Sequence, residues 1–290
     1  MHRPLIALLR VALLSMCLAA CGREARVRVA TKNFSEQYIL GEIVAQHLEH
    51  RLGGHVSRRF GLGGTLLAHQ ALVAGEIDVY PEYTGTALTA VLKQKPVNDP
   101  AQVLAIVRRG YAPLGIGWLA PLGFENTFAM VIRKDDGAVP STLSEAAKDR
   151  AWKLGAGYEF VRREDGLPGL MHAYGLRLAG APKTMDLGLL YQALTKHQVD
   201  MVAANSTDGL LAALPLTVLD DDKRYFPPYE CALVLRDEAA RQFPALRPAL
   251  AELSGKITSD TMRRLNYELD GRHRPAREIA RDFLRSTGLD

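Results

Sequence analysis

Strand-like and helix-like segments alternate along this chain, and the whole alternation is played twice, which restricts the fold to two α/β lobes. Residues 26–30 alternate polar and apolar side chains as a strand does, and Asn33-Phe34-Ser35 then supplies turn and N-cap chemistry. Ile39, Leu40, Ile43, Val44, His47 and Leu48 recur at helical spacing until Gly53-Gly54 stops the run. Residues 55–60 read as a second strand, 65–74 as a helix, 77–80 as a strand, 101–110 as a helix and 116–118 as a strand. A second block opens near Asn126 with a strand at 128–133 and a helix started by Ser141-Thr142. It continues with a strand at 153–156, helices near 167–174 and 187–196, and a strand at 199–204. One apolar strand, 231–235, then precedes a helical tail at 238–255 and 259–284. Such alternation implies parallel sheets covered on both faces by helices. The expected division is lobe I at 26–125 plus 223–290 and lobe II at 126–222, with the chain crossing near 126 and returning near 223.

The first twenty residues stand apart. Arg3 and Arg10 flank the start of an apolar run at 11–18, and Ala19-Ala20 directly precede Cys21, which reads as a secretory leader. Leu18-Ala19-Ala20-Cys21 resembles the bacterial lipobox, so Cys21 is expected to become the lipidated first residue, with 21–25 as a linker and the protein facing the periplasm. No later stretch approaches the roughly 20 apolar residues of a membrane span, leaving the lipid as the expected membrane attachment. Cys17 leaves with the leader and Cys21 carries the lipid, so Cys231 is left without a disulfide partner. Loss of Arg3 and Arg10 lowers the formal charge from +4 to +2. The basic residues form only short clusters, such as Arg58-Arg59, Arg162-Arg163 and Arg263-Arg264, so nucleic acid is not an expected partner.

Two lobes joined by two crossings enclose a cleft, and in open α/β sheets ligands bind beyond the carboxyl ends of the strands. In lobe I those positions hold Lys32, Asn33, Ser35 and Gln37, then Gly61, Gly63, Gly64 and Thr65, then Tyr80, Glu82, Tyr83, Thr84 and Thr86. The helices starting at Ser35 and Thr65 each offer N–H groups suited to a carboxylate. Gly61-Leu62-Gly63-Gly64 lacks the third glycine of a dinucleotide fingerprint, and no cofactor is expected. In lobe II the corresponding positions are Asn126 and Thr127, Tyr158 and Arg163, and residues 205–208, while Tyr225 and Tyr229 flank Pro227-Pro228 at the return. A quaternary ammonium has no N–H to donate, so aromatic faces meet its charge best. Tyr83, Phe128, Tyr158, Tyr225 and Tyr229 are the candidate rings. Tyr80 and Tyr83 point to opposite faces of an extended segment, which assigns Tyr83 to the cleft and Tyr80 to packing.

Five stretches in order carry a family resemblance: residues 32–42 (Lys-Asn-Phe-Ser-Glu-Gln-Tyr-Ile-Leu-Gly-Glu), 80–86 (Tyr-Pro-Glu-Tyr-Thr-Gly-Thr), 163–166 (Arg-Glu-Asp-Gly), 206–209 (Ser-Thr-Asp-Gly) and 221–229 (Asp-Asp-Lys-Arg-Tyr-Phe-Pro-Pro-Tyr). From about residue 26 to the end the chain resembles the glycine betaine, carnitine and choline substrate-binding lipoproteins of osmoprotectant ABC importers. The resemblance implies a type II periplasmic-binding-protein fold, a monomer that works with permease and ATPase subunits, and lobe closure around a trimethylammonium held by rings. Gln37, Tyr83, Thr86, Asn126, Arg163 and the segment containing Tyr225 and Tyr229 match positions associated with the ligand. Two positions depart: Phe128 stands where the family often has Tyr, and Asn205 where an aromatic residue is common. An incomplete cage follows, which fits a weaker betaine site or a solute with a polar group near Asn205.

The rival readings are a lipid-anchored enzyme and a sensor lipoprotein for another solute. The chain has no Gly-x-Ser-x-Gly elbow and no His-Glu-x-x-His motif, and Cys231 falls in an expected buried strand. Asp165, Asp208 and Glu82 could serve acid–base chemistry, although loop carboxylates more often cap turns. His47 and His50 stand three apart on one helix without an evident third ligand, so no metal is expected. A sensor would share both fold and anchor.

Overall fold

The computed structural model describes residues 26–54, 56–134 and 139–290; the leader, Cys21 with its linker to residue 25, and His55 lie outside the described residues. The first half contains β1 (Val27–Ala30), α1 (Ser35–Arg51), β2 (Val56–Arg59), α2 (Thr65–Val73), β3 (Val79–Tyr83), α3 (Pro100–Tyr111) and β4 (Ile116–Trp118). The second block contains β5 (Phe128–Arg133), α4 (Leu143–Asp149), β6 (Leu154–Ala156), α5 (Tyr158–Arg162), α6 (Leu167–Tyr174), β7 (Lys183–Thr184), α7 (Leu190–Thr195), β8 (Met201–Asn205) and β9 (Leu216–Val218). The chain then returns through β10 (Cys231–Arg236) to α8 (Asp237–Gln242), α9 (Leu246–Ala251), α10 (Ser259–Asp270) and α11 (Ala276–Thr287). Local chemistry sets several of these ends. Asp99 accepts from Ala101 N at 2.9 Å ahead of Pro100, and Thr142 accepts from Glu145 N while the Glu145 carboxylate takes Ser141 N.

Two five-stranded sheets result, in the orders β2-β1-β3-β10-β4 and β7-β6-β8-β5-β9. They are mixed rather than parallel throughout, a correction to the expectation from alternation. β10 runs antiparallel to β3 and β4, and β5 antiparallel to β8 and β9. The cause is connectivity: β5 and β10 are entered directly from the inter-lobe crossings, so they start at the cleft, whereas β1, β3, β6 and β8 end there. Carboxyl ends of the parallel strands and amino ends of β5 and β10 therefore converge on one place.

The crossings pair with each other. Asn126 N donates to Tyr229 O at 3.0 Å and Cys231 N to Phe124 O at 3.0 Å, with Glu125 bridged to Glu230. The return thus runs through Tyr229 and Glu230, later than residue 223, because Tyr225 N and Phe226 N are still tied to the lobe II carboxylate of Asp221. The tail adds a third tie between the lobes. Helix α10 packs on α1 in lobe I, and Arg263 Nε donates to Ser206 O in lobe II at 3.1 Å. Its backbone comes so close to Gly209 that a Cβ there would meet Tyr267 N at 2.2 Å, so only glycine fits. On the first sheet, Tyr80 packs with the α2 and α3 side and Tyr83 with the α1 and tail side, as alternation requires. His47 is spent on packing α1 against the tail, its ring nitrogens 2.8 and 2.9 Å from the carbonyl oxygens of Leu289 and Ala249.

Candidate functional site

A cavity of about 710 Å³ lies between the lobes where the strand ends converge. Tyr83, Thr86, Asn126, Phe128, Tyr158, Arg163, Asn205 and Tyr229 all line it. Two candidates do not. Gln37 stands behind the wall, donating to Pro81 O at 3.0 Å and Tyr83 OH at 3.2 Å and accepting from Lys32 N. Tyr225 faces a separate groove of about 860 Å³ on the far side of α5 and α6. Its hydroxyl donates to Glu164 O at 2.9 Å and packs on Gly169, whereas the Tyr229 hydroxyl turns to Asp165. Of the rings that do line the cavity, Tyr158 is 60% exposed, whereas Tyr83 and Tyr229 are almost wholly buried.

At one end of the cavity Arg163 is held on every side. Its guanidinium forms a two-pronged ion pair with Asp165, and Nη1 donates to Thr86 Oγ1 at 3.2 Å. The guanidinium carbon sits 5.2 Å from the Phe128 ring centroid and 5.9 Å from that of Tyr229. Two rings expected to cage a solute therefore already carry an internal cation. Asp165 also accepts from Thr89 Oγ1 at 2.7 Å and Tyr229 OH at 2.6 Å. Burial works to raise the Asp165 carboxyl, but the Arg163 bonds outweigh it and hold the group below its ordinary value.

The other end is acidic. Glu36, in the first turn of α1 and 3% exposed, accepts four hydrogen bonds from four distant segments. Oε1 takes Tyr83 OH at 2.6 Å and Asn126 Nδ2 at 2.9 Å; Oε2 takes Thr207 Oγ1 at 2.5 Å and Asn266 Nδ2 at 3.0 Å. Burial pushes its carboxyl upward against these donors. Asp208 accepts from Tyr191 OH at 2.8 Å and Asn205 N at 3.1 Å. Burial, with Glu36 and Asp270 nearby, pushes Asp208 up to about 7. Asp270 accepts from Ser35 Oγ at 2.6 Å, and burial raises it as well.

The helix N-termini expected to receive a solute carboxylate are used otherwise. Glu159 of lobe II reaches the first turn of α2, accepting from Thr65 N at 2.5 Å and Thr65 Oγ1 at 3.0 Å. A Cβ at Gly64 would lie 2.4 Å from Glu159 Oε1, so glycine admits the carboxylate. Thr65 Oγ1 also accepts from Lys32 Nζ at 3.0 Å, and Lys32 pairs with the buried Glu82 at 2.5 Å. The α1 terminus meets Asp270 through Ser35. Glu36, Glu159, Tyr191, Asn266 and Asp270 escaped sequence reasoning. The Ser35-Glu36 pair at a helix start was visible, but nothing local marks partners more than two hundred residues away.

A family profile described as the substrate-binding domain of an ABC-type glycine betaine transport system matches residues 25–286. The chain belongs to that family. Its members are solute-binding proteins of ABC importers, extracytoplasmic and working with a permease and an ATPase, rather than enzymes. The ergothioneine transport permease/ergothioneine binding protein EgtU of Helicobacter pylori (strain G27) is 36% identical over 266 residues, covering 90% of this chain and 47% of that protein. The chain thus spans about half the length of that relative. The carnitine transport binding protein OpuCC of Listeria monocytogenes is 31% identical over 299 residues, covering 98% of this chain and 97% of that protein. A crystal structure described as a glycine betaine/carnitine/choline ABC transporter superposes with a TM-score of 0.75 at 32% identity, covering 91% of this chain and 99% of that one. The two-lobed architecture is that of type II periplasmic binding proteins. No described helix is long and apolar enough to cross a membrane.

Proposed function

We propose that this protein, held at the membrane by lipid on Cys21, captures a small quaternary-ammonium solute between its lobes and delivers it to a permease. The observation that supports this reading is that one cavity is lined by a guanidinium, a cluster of carboxyls and several rings. Arg163 and Thr86 stand at one end, the carboxyls of Glu36, Asp208 and Asp270 at the other, and aromatic side chains between and around them. A solute carboxylate meets the remaining N–H groups of Arg163. The methylated cation lies toward the acidic end against the rings of Phe34 and Tyr38, where exclusion of water strengthens each contact. Glycine betaine, carnitine, choline and ergothioneine, named in the relatives and the matching structure, share the trimethylammonium this site is suited to.

Thermal-shift titration of the purified protein tests the class. A quaternary-ammonium solute at about a hundred times its Kd contributes about 2.7 kcal/mol of stability and raises the melting temperature, whereas proline and arginine leave it unchanged. A shift with those amino acids and none with any trimethylammonium compound would sink the reading. Loss of radiolabelled palmitate incorporation in Cys21→Ser checks the anchor independently.

A further inference from the structure

Glu36 does more than fill the junction of the lobes; it fixes which way two buried asparagine amides turn. Asn126 Nδ2 donates to one of its oxygens, and Asn266 Nδ2 donates to the other and to Thr207 O at 2.8 Å. A carboxylate and a carbonyl oxygen accept, so both amides are locked with their NH2 toward these acceptors and their Oδ1 turned away. Asn126 is 8% exposed and Asn266 1%, and both line the cavity. Neither Oδ1 has a hydrogen-bond partner among the described residues. A buried carbonyl oxygen left without a donor is costly, so this pair favours any solute that brings one.

A simple betaine brings none. Its methylated nitrogen has no N–H, and its carboxylate can only accept. We propose that the solute carries, besides its quaternary ammonium, an N–H or O–H donor that bonds the Oδ1 atoms of Asn126 and Asn266, and that these two asparagines set preference within the class. The inference rests on the quaternary-ammonium reading and narrows it. Asn205 is a different case: it is only half-buried, so the cost of an unpaired buried Oδ1 that singles out Asn126 and Asn266 does not fall on it.

Calorimetric titration of the full chain with two matched pairs tests it. Carnitine and γ-butyrobetaine share cation and carboxylate and differ by one hydroxyl; ergothioneine and glycine betaine differ by a ring bearing N–H. The tightest binder should be carnitine or ergothioneine, ahead of its donor-free counterpart by about tenfold, the worth of one well-made hydrogen bond to a buried acceptor. In Asn126→Ala and Asn266→Ala that margin should shrink to about threefold or less, within the spread of a lost weak contact. Donor-free solutes binding as tightly as their counterparts would overturn the inference and leave the quaternary-ammonium reading standing. A margin undiminished in both folded variants would overturn it too, by moving the donor's partner elsewhere. Binding of none of the four would remove the class reading itself, and the inference with it. Melting curves show whether each variant is folded; where one is not, the wild-type ratios decide.

Discussion

The two ends of the cavity satisfy a buried charge in opposite ways. Arg163 is neutralised by Asp165 two residues along the same turn, and the pair then reaches across to Thr86 and Thr89 of the other lobe. Among the described residues Glu36 has no cation as a bonding partner; four neutral donors from β3, the first crossing, the turn after β8 and α10 surround it. A charge compensated by an opposite charge keeps its ionised form, and Asp165 lies below its ordinary value. A charge held only by neutral donors in a dry site pays the full cost of desolvation, and Glu36 lies above its own. The Arg163 end is therefore built to present N–H groups, while the Glu36 end is built to hold distant segments in register.

Removing each centre should separate those roles. Glu36→Ala leaves the hydroxyls of Tyr83 and Thr207 and the amides of Asn126 and Asn266 without their acceptor, and should cost about 3 kcal/mol or more in urea unfolding. A loss below about 1 kcal/mol would show that the four donors re-pair easily. Arg163→Ala should act chiefly on binding, weakening glycine betaine by about tenfold or more while choline, which has no carboxylate, changes by less than about threefold in calorimetry. Equal losses would place the carboxylate elsewhere. The smallest effect concerns pH. Folded Asp208 keeps its proton up to about 7, whereas the unfolded chain releases it near 3.8. The folded form thus binds the extra proton in that window, and this contribution to stability is full below about 3.8 and lost as pH rises to about 7. Asp208→Asn should flatten that slope and exceed the parent's stability above pH 7 by on the order of 1 kcal/mol; parallel pH profiles for the two proteins would contradict it.

The same contrast explains what could be read from residues alone. Period-two and period-3.6 segments in alternation placed most strands and helices, and Arg163 was findable because it opens the Arg-Glu-Asp-Gly stretch, although a short helix separates it from the preceding strand. The reversed direction of β5 and β10 was not readable, since residue pattern records burial and not the end from which a strand is entered. β7 is only two residues long and β9 only three, too short to show a period. Glu36 looked like an ordinary acidic residue in a first helical turn. Tyr225 and Tyr229 look equivalent in sequence, yet one ring lies behind α6 and the other toward the cleft.

The Glu159 carboxylate seated on the first turn of α2 has a consequence for transport. It joins the two halves through bonds between protein groups, so part of the hold of one lobe on the other is independent of the cargo. Unloading into a permease then requires that this latch be prised apart whatever is carried. A substitution there would change retention and release together.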